Sequence, residues 1–349
     1  MKIGFLVPSM FAVGNPANGV AAQARFQAEA LEALGHEVVR LNPWDWQDPA
    51  EFDVVQFFIG GFGLYTVENL RRSMAKGILV FAPIIDSNEP NFLYRLAAAA
   101  GNLHPKIFSI PGELRRQALN SDVVICRSTF ERNRVVRGLG VSAAKVEVVL
   151  NGTELENSGQ RHAEAVRKRL DLPEEYVLHV SAYTQERKNV VRLAEAVGPL
   201  GYPLVIAGFA QPGRELESLH ALARKFRDIR VLGFLDRDSL RGLYTGCRVF
   251  CLPSRHEGTG LVALEAAAHG ANVVITRNGG PPDYFGSHAE YVDPNSVEQI
   301  RDAVRTAWGK PRNAQFREFL SANLTWERSA QALAGVYGRC LEGKKSGMS

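Results

Sequence analysis

Residues 251–270 read CLPSRHEGTGLVALEAAAHG. The opening residues finish an apolar strand that ends at Pro253 and Ser254, a polar glycine-containing loop follows, and a small-residue helix is predicted from Leu261 onward. Such a joint builds a ligand site, because Thr259 and Gly260 leave backbone N–H groups free at a helix start, where the helix dipole favours an anion. Glu257 lies in the loop, and Glu265 stands eight residues later inside the helix. A ligand with its phosphates at the helix start meets one carboxylate toward each end, and carboxylate oxygens accept the hydrogen bonds of vicinal hydroxyls. The plainer reading keeps Glu257 as a loop cap and Glu265 as a solvated helix residue.

The same alternation extends through the chain. Strands are predicted at 2–7, 36–41, 54–59, 78–85, 123–127 and 146–149, then at 177–182, 204–207, 231–232, 249–252, 273–276 and 291–292. Helical periodicity falls at 20–34 and 66–76, at 190–197, 214–225, 239–245, 261–269 and 297–308, and at 326–341. Runs that are apolar throughout, such as 78–85, suit parallel strands covered on both faces, and right-handed βαβ units make each series a doubly wound sheet. At 151–171 the rhythm stops (NGTELENSGQRHAEAVRKRLD), which marks a linker and its following helix. A chain of 349 residues exceeds what one core usually holds, so two α/β domains are expected.

Composition excludes several classes. Hydrophobic residues at 46% and charged residues at 22% are ordinary for a globular protein, and a net charge of +4 is too small to point to nucleic acid. Cys126, Cys247, Cys251 and Cys340 form no C-x-x-C pair and read as buried thiols of a reducing compartment. The opening MKIGFLVPSMF is a strand and not a signal peptide, and no stretch approaches a membrane span, so a cytoplasmic location is expected.

A second cluster, SAYTQERKN at 181–189, follows the first strand of the second half. Strand carboxyl ends face the ligand crevice of an open α/β sheet, and Arg187 and Lys188 there supply two positive charges to a diphosphate. Positive charge at a helix start opposes the dipole, so local preference does not account for the pair. Asp236-Arg237-Asp238 resembles a D-x-D metal motif but precedes a helix, where Asp is a common cap. The GGFG run at 60–63 lacks the full phosphate-loop fingerprint. His256 beside Glu257 either lines the pocket or is structural. Residues 115–145 hold seven Arg and Lys, a solvated surface or a basic face for anionic lipid.

PSRHEGTGLVALEAAAHG resembles the Glu-x7-Glu donor motif of glycosyltransferase family 4, ordinarily P-S-x-x-E-G-F-G-L-x-x-x-E-A-x-A-x-G. NGVAAQARFQAEALEALGHEV, SDVVICRSTFERN, VEVVLNGTE, ERKN, VLGFLDRDSLRGLYTGCRVFCLPS, NGGPPDYF and TWERSAQALAGVY fall in the family's order, so the resemblance covers nearly the whole chain. It implies a GT-B fold: two facing Rossmann-like domains, 1–155 with a C-terminal helix at 326–349 crossing back to it, and a donor domain at 156–325. It implies a retaining, metal-independent transfer from a UDP- or GDP-linked sugar, with no further cofactor, to a glycan, a lipid-linked sugar or a small molecule. Carried over by motif, Glu257 contacts the sugar hydroxyls and Glu265 the ribose. Arg187 and Lys188 bind the diphosphate with the N–H groups at Gly260 and Leu261, and the segment ending at Leu235 flanks the base. Asn18 and Gly19 open the first helix as the family's glycine loop does. Asp86, in PIIDSNEP, is the nearest match to the family's residue near the reacting carbon, and is equally readable as a turn former. The sequence departs at two places: Ser181 and Ala182 stand where the family often has G-R-L, and Thr259 replaces the usual aromatic.

Two other functions fit the architecture. A GT-B sugar-nucleotide epimerase is disfavoured by the Glu-x7-Glu run, and a non-catalytic nucleotide- or carbohydrate-binding scaffold by the joint presence of Glu257, Glu265, Arg187 and Lys188. A dehydrogenase is disfavoured by the missing G-x-G-x-x-G in the first βα loop. Peripheral contact with the inner membrane face would suit a lipid-linked acceptor.

Overall fold

In the computed structural model the chain divides into two compact units, Met1–Gly152 with Trp326–Ser349, and Thr153–Thr325. The described residues are 1–8, 19–42, 44–45, 47–59, 64–74, 76–101, 109–155 and 159–347. The loop predicted before the first helix, with Asn18, and the GGFG run fall outside them.

The first unit runs β1 (Lys2–Leu6), α1 (Gly19–Ala33), β2 (Glu37–Arg40), β3 (Val54–Phe58), α2 (Leu64–Ser73), β4 (Ile78–Ala82), α3 (Asn91–Ala100), α4 (Ile110–Asn120), β5 (Val123–Cys126), α5 (Thr129–Asn133) and β6 (Val146–Val148). The strands pair in parallel in the order β2-β1-β3-β4-β5-β6. Strand residues alternate between two cores, which explains runs apolar at every position. Ile78, Val80 and Ala82 face one core with Ala24, Ala28 and Leu31 of α1; Leu79 and Phe81 face the other with Leu114 and Ala118 of α4. Helices α3, α4 and α5 were not foreseen in the periodicity. On α3 the large apolar residues Phe92 and Leu96 are exposed, 64% each, while Ala98 is buried, so apolar spacing does not mark its inner face.

The second unit runs α6 (Gly159–Arg169), β7 (Val177–Val180), α7 (Val190–Val197), β8 (Leu204–Ala207), α8 (Arg214–Lys225), β9 (Ile229–Gly233), α9 (Arg237–Gly246), β10 (Val249–Leu252), α10 (Leu261–Ala268), β11 (Asn272–Thr276), α11 (Pro281–Phe285), β12 (Ala289–Val292), α12 (Val297–Gly309) and α13 (Ala314–Asn323). Its strands are parallel in the order β12-β11-β10-β7-β8-β9. The chain leaves β7 toward β8 on one side and β10 toward β11 on the other, so the direction of winding reverses between β7 and β10. A crevice outside the carboxyl ends of two such strands is where open α/β sheets bind ligands.

The last helix, α14 (Trp326–Lys345), belongs to the first unit. Its Ala330, Leu333, Val336 and Tyr337 cover the same core as α1, and the Trp326 and Phe26 rings stack at 5.1 Å. Beneath it the Tyr337 hydroxyl donates to Gln56 Oε1 at 2.6 Å, and Gln56 Nε2 donates to Gln27 Oε1 at 3.4 Å. All three side chains are buried, and the chain of bonds satisfies polar groups that would otherwise be costly there. Among the described residues no helix is long and apolar enough to cross a membrane.

Candidate active site

The loops after β7 and β10 carry the charged residues. After β7 the backbone makes one tight turn, Glu186–Lys188, and then places Asn189 in the left-handed region at φ 61° before α7 begins. Asn tolerates this conformation better than most residues. The Asn189 side chain is buried, its Nδ2 donating to the carbonyls of Pro253 at 2.9 Å and Pro294 at 2.6 Å, while its Oδ1 accepts from Arg192 at 2.9 Å. It therefore ties the turn to the segments that follow β10 and β12.

From that turn Lys188 reaches Glu257, with Nζ 2.6 Å from Oε1 and side-chain exposures of 11% and 9%. Burial acts most strongly on the Glu257 carboxyl and pushes its pKa up, but the Lys188 ammonium, the Ser254 hydroxyl and the Arg187 charge together hold it below the usual range. The main chain of Glu257 is fixed as firmly: its N–H donates to the Asn278 carbonyl at 3.1 Å and its carbonyl accepts from Gly280 N–H at 3.0 Å. Between these contacts Gly279 sits at φ +108°, and a Cβ there would stand 2.0 Å from the Glu257 carbonyl oxygen. The Arg255 N–H donates to the Arg187 carbonyl at 2.8 Å, which joins the two loops directly.

Gly260 turns into α10 at φ 78° with no side-chain cap. The Ala263 and Leu264 amides bond back to its carbonyl at 2.8 and 3.1 Å, which leaves the Leu261 and Val262 N–H groups at the mouth of the helix. Thr259 is buried, its Oγ1 3.5 Å from Tyr284 Oη. Glu265 is half-buried, and its carboxylate lies beside Tyr244, whose hydroxyl pKa is raised first by burial and then by that carboxylate. Arg187 is exposed, its Nε donating to Gln185 Oε1 at 3.1 Å. Leu235 is half-buried just past β9.

Lys188, Glu257, Arg187, Thr259, Gly260 and Leu261 thus come together around the point where the second sheet reverses. Sequence alone assigns Lys188 and Glu257 separate tasks; the structure joins them in one buried ion pair. Asp86 and Gly19 belong to the first unit. Asp86, past the end of β4, pairs with Arg127, which also faces Glu131 at 3.6 Å. Glu131 is buried and accepts the Ile85 N–H at 2.6 Å and the Arg127 N–H at 2.8 Å, so Asp86 sits in a built charge network. Gly19 is the first residue of α1, with open space where a Cβ would stand.

Other expectations resolve simply. Asp236 caps α9, its Oδ1 accepting the Ser239 N–H at 2.7 Å, and His256 is buried. Cys126, Cys247 and Cys251 are buried, but Cys340 only partly so. Of the basic residues at 115–145, Arg116 pairs with Glu113, Arg134 is buried over the Tyr94 ring, and Lys145 donates to the Leu119 carbonyl.

Asn189 and Gly279 are not read from sequence as site residues, though each leaves a signal: an Asn before an apolar helix and a Gly-Gly pair after a strand. Asn189→Ala loses three side-chain hydrogen bonds and strains the backbone, and is expected to cost about 2–3 kcal/mol of stability. Asn189→Gly keeps the left-handed turn and should cost about 1 kcal/mol less. Urea midpoints of the two variants measure the difference; equal losses would show that the turn's conformation contributes nothing.

Residues 161–319, most of the second unit, match the family described as Glycosyl transferases group 1. The chain is 30% identical over 195 residues to the serotype-specific mannosyltransferase WbdA of Escherichia coli, a match covering 51% of this chain and 23% of that protein. It spans about a quarter of the length of the first curated relatives it matches. Among solved structures it is similar to sucrose-phosphate synthase from Thermosynechococcus elongatus, with a TM-score of 0.74 at 17% identity over 98% of this chain and 99% of that one. It is also similar to Anabaena Alr3699/HepE in complex with UDP, with a TM-score of 0.71 at 17% identity over 97% of this chain and 100% of that one. These likenesses give the fold as GT-B, two Rossmann-like units with the final helix of the chain on the first.

Proposed function

We propose that this chain is a glycosyltransferase that moves a sugar, with retention of configuration and without a metal, from a nucleotide-sugar donor to an acceptor hydroxyl. The Lys188–Glu257 pair carries the reading, because it lies at the reversal point of the second sheet beside the uncapped start of α10. On this reading Arg187, Lys188 and the N–H groups at Gly260 and Leu261 hold the diphosphate, Glu265 the ribose, and Glu257 the sugar hydroxyls. Thr259 lines the sugar pocket and Leu235 flanks the base. The bond from the anomeric carbon to the diphosphate breaks with its electron pair on the diphosphate, where the cations and the helix dipole stabilise the charge. The acceptor oxygen forms the new bond on the same face of the sugar and passes its proton to the departing diphosphate oxygen. Positive charge growing on the sugar strengthens its attraction to the Glu257 carboxylate in the transition state.

In the first unit, Asp86 is the candidate catalytic residue and Gly19 a candidate donor-binding residue. The mannosyltransferase relative and the UDP held by the Anabaena protein support a UDP- or GDP-linked hexose as donor. The acceptor is a glycan, a lipid-linked sugar or a small molecule. Peripheral membrane contact draws support from the exposed Phe92, Leu93 and Leu96 of α3.

Calorimetry with UDP and GDP in excess chelator tests the metal-free site; binding that vanishes with chelator would overturn it. Glu265→Gln should weaken nucleotide and nucleotide sugar alike, by about three- to tenfold. Glu257→Gln should leave free nucleotide binding nearly unchanged and lower turnover. Equal loss of nucleotide affinity in both would refute this division of roles.

A further inference from the structure

His179 interrupts the apolar run of β7 and is fully buried. Its Nδ1 lies 2.8 Å from the carbonyl oxygen of Cys251 in β10, and its Nε2 lies 2.7 Å from Ser181 Oγ. A carbonyl oxygen can only accept, so Nδ1 carries the ring proton. Burial keeps the imidazole neutral by pulling its pKa down to about 4. Nε2 therefore holds a lone pair, and the Ser181 hydroxyl donates its proton to it. The consequence passes to Ser181: its one proton is committed, and toward a ligand its oxygen can only accept.

The place of this pair gives it meaning. Regular pairing of β7 with β10 runs through Val249↔Val177 and Phe250↔Leu178, and His179 is the next residue. Ser181 is the first residue past β7, half-buried, at the strand ends where the winding reverses. Lys188 and Glu257 both act on the His179 ring through their charges. The Ser181 backbone is held on both sides, its N–H donating to the Ala207 carbonyl at 3.2 Å and its carbonyl accepting from Phe209 at 3.1 Å. A Cβ on Gly208, at φ +125°, would come 2.0 Å from that carbonyl, so only glycine allows the approach.

A hydroxyl that can only accept discriminates between the parts of a nucleotide sugar. The ionised diphosphate also only accepts and finds no bond there, whereas a hydroxyl has a proton to give, and the ribose hydroxyls are those assigned above to Glu265. We propose that Ser181, oriented by His179, accepts a hydrogen bond from a hydroxyl of the transferred sugar, with His179 acting as a positioning residue. This rests on the donor-site reading above.

The test titrates UDP, GDP, UDP-glucose and GDP-mannose into wild type, Ser181→Ala and His179→Asn by calorimetry. Long-range nitrogen–proton NMR of the His179 ring accompanies it. Ser181→Ala should bind the nucleoside diphosphate within about twofold of wild type and lose about five- to tenfold for its sugar. His179→Asn, short enough to keep the Cys251 contact but not to reach Ser181, should lose a few-fold for the sugar in the same selective way; if it fails to fold, Ser181→Ala decides. Wild-type affinity for the nucleotide sugar in Ser181→Ala overturns the proposal and leaves the donor site standing, as do equal losses for diphosphate and sugar, or a ring protonated on Nε2. Wild type that binds no probe overturns the donor reading and this proposal with it.

Discussion

Replacing Lys188 with methionine is expected to reverse the sign of the second unit's pH dependence near Glu257. In the wild type the carboxyl is held below its ordinary range, so its contribution is complete above about pH 4.5 and is lost as the pH falls through the lowered value. Without the ammonium 2.6 Å away, burial dominates and the carboxyl rises above its ordinary value. The charged form then destabilises the fold at neutral pH, and stability recovers as the pH falls toward 4.5. Removing one partner of a buried pair costs about 3–5 kcal/mol, with the lower figure apt for a site at the edge of solvent. Urea midpoints between pH 4.5 and 7.5 read both the loss and the slope. The double variant with Glu257→Gln should regain most of the stability while nucleoside diphosphate affinity stays about ten- to a hundredfold down. An unchanged slope in Lys188→Met would show that the pair is not coupled.

Gly279→Ala should lower turnover in the proposed transfer by displacing the Glu257 main chain. The new Cβ would meet the Glu257 carbonyl oxygen at 2.0 Å, and at φ +108° an L residue is strained even in open space. Backbone must move, and the backbone nearest is that of Glu257, held by Asn278 and Gly280. Stability is expected to fall by about 3 kcal/mol, near the top of the range for single substitutions. At temperatures where the variant remains folded, turnover should fall at least about a hundredfold, because a misplacement of about 1 Å is enough to do this. Gly286→Ala is the control, since it also has positive φ but nothing within 4 Å. Equal effects from both would assign the loss to strain alone and remove Gly279 from the positioning of Glu257.

Strand β4 is legible in the sequence because it lies between two cores, so that 78–82 is apolar at every position. Helix α3 is not, because its exposed face carries Phe92 and Leu96 and its inner face small alanines. Lys188 and Glu257 are each legible as charges at a strand–helix joint. Their pairing is not, because it spans 69 residues and depends on β10 lying against β7. Local periodicity carries no information about strand order. Asn189 and Gly279 are illegible for a related reason: their importance lies in carbonyls brought close from other loops.

The hydrogen bond from Tyr337 to Gln56 joins residues 281 positions apart. During synthesis the first sheet emerges early, yet one of its faces waits for α14, made after the entire second unit. Until then Ile3, Val54 and Val80 on that face lack the cover of Leu333 and Val336, and Gln56 lacks its phenol. The second unit, by contrast, is continuous in the chain and holds all its own strands. On the ribosome the order of completion is therefore inverted, with the later unit closing first. The interval in between is when a chaperone has apolar surface to hold.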